Sequence, residues 1–91
     1  MNDDGRVISV LIVEDSATQA EKLRASLESH RFAVAVAADG AQAIAVARER
    51  QPDIVITDIV MPGMDGYGLC RAIKADERLK DTPVILLTSL S

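Results

Sequence analysis

Val7-Ile8-Ser9-Val10-Leu11-Ile12-Val13 is a nearly continuous apolar run that stops on Glu14-Asp15-Ser16. A strand with one wet face alternates apolar and polar residues, so a run without alternation marks a strand covered on both faces. Ile54-Val55-Ile56-Thr57 and Val84-Ile85-Leu86-Leu87 read the same way, and Ala33-Val34-Ala35-Val36-Ala37 is a smaller fourth. Between these runs the apolar spacing becomes helical. Ala20, Leu23 and Leu27 share a face behind a capping signal, Ser16 with Gln19. Asp39 with Gln42 starts a second helix carrying Ile44, Val46 and Ala47, and a third opens after Asp65-Gly66 and carries Leu69 and Ile73. Pro52 and Pro83 each stand just before a strand, where a helix cannot run through.

The 91 residues therefore alternate β-α-β-α-β-α-β, enough chain for one small domain. Such alternation with short connections predicts an α/β fold: a parallel sheet with helices on both faces and right-handed crossovers. Apolar residues make up 48% of the chain, yet Phe32 and Tyr67 are its two aromatics, so the core is aliphatic. That content excludes a disordered chain. A single cysteine, Cys70, excludes an internal disulfide framework and a thiolate zinc site. The net charge of −4 speaks against a nucleic-acid surface, and no apolar run reaches the ~18 residues of a membrane span. Met1-Asn2-Asp3-Asp4 is acidic, unlike a secretory signal. The chain reads as a soluble, cytoplasmic domain with a flexible N-terminus over 1–6.

In an open parallel sheet the functional crevice lies at the carboxyl ends of the strands, where strand order reverses. The first strand ends in Glu14-Asp15, the third in Asp58 and the fourth in Thr88-Ser89. Three converging carboxylates repel one another, and a divalent cation relieves that repulsion. Mg²⁺ suits the position because it takes few carboxylates, keeps waters and accepts phosphate oxygens. Acid at a helix N-terminus is the lesser reading of Glu14-Asp15 viewed alone, and Asp58 on a second strand end weakens it further. A carboxylate can also act as nucleophile toward phosphorus. The Thr88 hydroxyl is placed to bond a phosphoryl oxygen, although a lone strand Thr needs no such role.

Four segments in order carry a resemblance: Val10-Leu11-Ile12-Val13-Glu14-Asp15-Ser16, Pro52-Asp53-Ile54-Val55-Ile56-Thr57-Asp58, Met61-Pro62-Gly63-Met64-Asp65-Gly66 and Pro83-Val84-Ile85-Leu86-Leu87-Thr88-Ser89. Together they resemble the receiver domain of two-component response regulators. The resemblance implies a flavodoxin-like open parallel sheet of order 2-1-3-4. It implies that Asp58 is the phosphoacceptor, and that Asp15, Asp58 and the Val60 main-chain carbonyl bind Mg²⁺, with Glu14 acting through metal-bound water. Thr88 matches the hydroxyl that follows phosphorylation, and the donor would be a phosphohistidine on a sensor histidine kinase or a phosphotransfer protein. A signalling domain rather than a turnover enzyme is implied.

Receivers normally continue through a further helix, strand and helix, including a lysine at the end of the fifth strand. The chain stops at Leu90-Ser91, so residues 1–91 are expected to form a partial receiver that lacks that lysine. Lys22, Lys74 and Lys80 read as helix-face or loop residues. The fourth strand would then be an unblunted edge, which predicts homodimers through it. A protein-interaction module that uses the fold without phosphorylation stays open as an alternative, as does a fragment. A phosphatase of the haloacid dehalogenase type fits poorly, because its second Asp would stand where Val60 is. Flavodoxin-like cofactor binding fits poorly too, with Glu14-Asp15 in place of a phosphate-cradling loop. His30 is expected as a solvated helix end, Cys70 as buried, Met61 and Met64 as loop anchors, and Arg48 as part of a solvated helix end.

Overall fold

The structure is a computed structural model that describes residues 6–61 and 63–87. Four strands form one parallel sheet: β1 (Ser9–Val13), β2 (Ala33–Ala37), β3 (Ile54–Asp58) and β4 (Val84–Leu87), in the order β2-β1-β3-β4. Three helices connect them: α1 (Ala17–Ser29), α2 (Gly40–Arg50) and α3 (Gly66–Ala75). Element order and sheet order match the expectation. β1 pairs with both β2 and β3, so its run is shut off from water on every side, and Val10, Leu11, Ile12 and Val13 are all buried. That burial is why the run could dispense with alternation.

Two layers of side chains flank the sheet. Leu11, Val13 and Val55 pack on one side with Ala43 and Ala47 of α2, Leu69 and Ile73 of α3, and Leu79 from the turn beyond α3. Alanines on α2 let that helix lie close to the sheet, which accounts for small residues among branched ones. On the opposite side α1 covers β1 and β2, burying Ala20. Beyond the reach of α1, Ile85 and Leu87 of β4 are 42% and 41% exposed. Burying one such side chain contributes roughly 1.5–3 kcal/mol, so the covered residues of β1, β3 and α3 dominate the fold's stability.

Each helix is started by the side chain that the sequence suggested. Ser16 Oγ accepts from the Gln19 N–H at 3.2 Å, Asp39 Oδ1 from the Gln42 N–H at 2.8 Å, and Asp65 Oδ1 from the Gly68 N–H at 2.8 Å. Such caps are typically worth ~1 kcal/mol each. The cap of α1 differs in one respect from a reciprocal capping box. The Ser16 N–H, which a box would give to the Gln19 side chain, donates to Glu14 Oε2 at 3.0 Å. Glu14 is thereby drawn into the start of α1.

Two expectations need correction. Cys70 is half-buried rather than buried, because Leu69 and Ile73 take the inward face of α3. Arg48 is not merely solvated: its Nε donates to Asp76 Oδ2 at 2.7 Å, tying the end of α2 to the end of α3. Lys74 is tied down as well, with Nζ donating to the main-chain carbonyls of Lys80 and Thr82.

Candidate functional site

Register decides which strand ends meet. Val13 of β1 stands opposite Thr57 of β3, so the residues that follow Val13 lie beside Asp58. The ladder also continues past the strand ends. The Glu14 N–H donates to the Ala37 carbonyl at 3.0 Å, and the Ile59 N–H donates to the Leu87 carbonyl at 3.2 Å. Glu14 and Asp58 are thus both held by β-type bonds on either side of the gap they share.

Glu14, Asp15 and Asp58 each offer one carboxylate oxygen, and these three oxygens lie within 4.8 Å of one another. Glu14 and Asp58 are half-buried while Asp15 is exposed. Asp58 Oδ1 is buried and, among the described residues, has no hydrogen-bond partner. A buried carboxylate oxygen without a donor is a costly arrangement that an oxygen-seeking cation would relieve. Burial holds the Glu14 carboxyl above the usual glutamate range, and the Asp15 carboxyl and the charges of Asp58 and Asp15 push the same way. The Ser16 N–H opposes them.

The donor set fits Mg²⁺. All three groups are hard oxygens, and ligands at ~2.0–2.1 Å in an octahedron lie roughly 2.9–4.2 Å apart. Oxygens already within 4.8 Å need only a small closure to reach that spacing. Val60, two residues beyond Asp58, begins the loop toward α3 and is exposed. Thr88 lies outside the described residues.

The loop from Ile59 to Asp65 is pinned at three places. Met61 is buried in the core that β3 shares with α2 and α3, so it is the loop anchor expected from the sequence. The Gly66 N–H donates to the Ile59 carbonyl at 2.7 Å. Met64 packs against Gly40 at the start of α2, where a Cβ would meet its Sδ at 2.8 Å. Gly66 and Thr57 are the residues that sequence reasoning undervalued. Gly66 reads as a cap glycine, but a Cβ there would come within 2.5 Å of the Asp58 carbonyl oxygen. Thr57 reads as the last residue of an apolar run, and a hydroxyl in such a run was the available signal.

Residues 10–91 match the response regulator receiver domain family. The chain belongs to that family. This receiver domain is 42% identical over 80 residues to protein PilH of Pseudomonas aeruginosa, covering 88% of the chain and 66% of PilH. It is 40% identical over 81 residues to the response regulator PleD of Caulobacter vibrioides, covering 89% of the chain but 18% of PleD. Among solved structures, it resembles the receiver domain of a Pseudomonas aeruginosa sensor histidine kinase that has a magnesium ion coordinated in its active site cleft. There the TM-score is 0.86 and the identity 33%, over 93% of this chain and 70% of the other. The receiver domain thus spans less than two thirds of the full length of these two curated relatives, and it serves two-component signalling.

Proposed function

We propose that this receiver domain is a phosphoacceptor whose Asp58 takes a phosphoryl group from a phosphohistidine, on a sensor histidine kinase or a phosphotransfer protein. The observation that carries the reading is Asp58 Oδ1: buried, without a donor among the described residues, and grouped with Glu14 and Asp15 at the ends of two adjacent strands. A carboxylate oxygen of Asp58 attacks phosphorus, the phosphorus–nitrogen bond to the donor imidazole breaks, and that nitrogen keeps the electron pair and takes up a proton. The product is an acyl phosphate on Asp58. Asp15 and Asp58, with the Val60 main-chain carbonyl, would hold Mg²⁺, and Glu14 would act through a metal-bound water. The ion supplies neutralisation of charge on the phosphoryl oxygens.

The chain's own residues do the remaining work. The ladder bonds of Glu14 and Ile59 fix the two strand ends, so the nucleophile is presented without reorganisation. The Ser16 N–H holds Glu14 Oε2, which orients that carboxylate before any ion arrives. Thr88, next after Leu87, would donate to a phosphoryl oxygen. The domain is modified once and passes its state on by a shift of conformational balance, so it is a signalling module rather than a turnover enzyme. No helix among the described residues is long and apolar enough to cross a membrane. A cytoplasmic location follows only from the proposed kinase donor.

The experiment is direct. The folded chain is incubated with Mg²⁺ and a small-molecule phosphodonor such as acetyl phosphate, and its mass is followed. A base-labile gain of one phosphoryl group, lost in Asp58→Asn, is the expected result. A folded parent that gains nothing would favour an interaction module that uses the fold without phosphorylation.

A further inference from the structure

Thr57 is the one buried polar side chain among the described residues, at 0% exposure, and it sits directly behind the acceptor. Its single hydroxyl proton has two acceptors in reach, the Asp58 carbonyl oxygen at 3.0 Å and Met61 Sδ at 3.7 Å from Oγ1. From the other side, Gly66 presses on the same carbonyl so closely that a Cβ has no room. The peptide joining Asp58 to Ile59 is planar, so fixing its carbonyl fixes the plane from which the Asp58 side chain departs and the loop toward Val60 begins. The second contact, on Met61, holds the far end of the Ile59–Met61 segment. A buried hydroxyl must find partners to offset its desolvation, and a made hydrogen bond then adds only modestly to net stability. Its contribution to stability is therefore small beside what its two partners position.

We propose that Thr57 is a positioning residue: its hydroxyl, clasping the Asp58 carbonyl and the Met61 sulfur, sets the relative placement of the Asp58 carboxylate and the Val60 carbonyl. It does not touch the ion or the phosphoryl group. The inference rests on the proposed phosphoacceptor reading, since the two groups it places are that reading's ligands.

The test measures Mg²⁺ uptake by the intact 91-residue chain, using isothermal titration calorimetry with the metal alone. Thr57→Val is expected to bind Mg²⁺ about 10-fold more weakly, within the range for loss of an outer-shell partner, with a melting temperature lowered by no more than the loss of one hydrogen bond allows. Thr57→Ser, which restores the hydroxyl, should recover most of the affinity. Ile73→Val, at the far end of α3, should lower the melting temperature and leave Mg²⁺ affinity as it was. Should Thr57→Val fail to fold, Thr57→Cys carries the same comparison with a weaker donor, and an intermediate affinity is expected. Parent-level affinity in Thr57→Val, or in a folded Thr57→Cys where that carries the test, overturns the proposal while leaving the site reading intact. A folded parent that takes up no Mg²⁺ overturns both.

Discussion

Two acidic places in this domain are built in opposite ways. At the end of α3, Asp76 is 11% exposed, and its carboxylate is met by the Arg48 guanidinium at 2.7 Å and by the Arg78 N–H at 2.8 Å. The Arg48 hydrogen bond, helped by the Arg78 N–H, holds its carboxyl below the usual aspartate range. At the ends of β1 and β3 three carboxylates face one another, one oxygen has no donor among the described residues, and burial raises the carboxyl of Glu14. The Asp76 region is satisfied within the chain and joins α2 to the turn after α3. Among the described residues no ion pair reaches Glu14, Asp15 or Asp58, which leaves that region open to charge from outside. On the proposed reading, stability and signalling fall to separate carboxylates.

The largest effect expected from breaking this contrast is Asp58→Asn. It should abolish phosphoryl uptake and weaken Mg²⁺ by ~100-fold or more, since even outer-shell partners cost 10–100-fold. In ion-free buffer the same variant should melt no lower than the parent, because a like charge has been removed. A lower melting point in calorimetry would break the contrast.

Next in size is the response to the ion itself. Mg²⁺ at 100 times its dissociation constant should stabilise the fold by about 2.7 kcal/mol, and a chelator should reverse it. Denaturant midpoints with and without the ion check this.

Arg48→Leu should do the reverse of Asp58→Asn, lowering the melting temperature while leaving Mg²⁺ affinity unchanged. Its pH signature follows from the sign of the shift. A carboxyl held low in the fold stabilises fully above its unfolded value of ~3.9 and loses that contribution as pH falls through the folded value. Between about pH 5 and 3 the parent should therefore lose more stability than Arg48→Leu, a difference readable from thermal melts across that range.

The smallest effect is that of Glu14→Gln. Removing one like charge should raise the stability of the ion-free protein at pH 7 by a few tenths of a kcal/mol, as for other like-charge neighbours. A loss of stability would mean that the bond from the Ser16 N–H outweighs the repulsion.

Much of this was legible in the sequence, and for identifiable reasons. A strand buried on both faces must be apolar throughout, so the runs ending at Val13 and Thr57 announced themselves, and the acids after them stood out by contrast. Caps are local, so Ser16, Asp39 and Asp65 were readable from spacing. Arg48 was misread because its partner lies 28 residues away, and nothing in a charged helix end reports a distant carboxylate. Gly66 reads from the sequence as no more than a cap glycine because the need for a bare Cα arises from a backbone eight positions earlier. Thr57 was hidden in its strand, since β-branched residues are ordinary there and only burial reveals the hydroxyl's partners.

The rung from the Ile59 N–H to the Leu87 carbonyl has a practical consequence. The bonded amide belongs to the residue that follows the proposed acceptor, so its hydrogen exchange with deuterated solvent depends on openings of the sheet beside Asp58. A chain with no tryptophan and one tyrosine gives optical methods little to report. That single amide is a built-in clock, and its exchange lifetime, timed by NMR, would register how firmly the acceptor is held without adding a label.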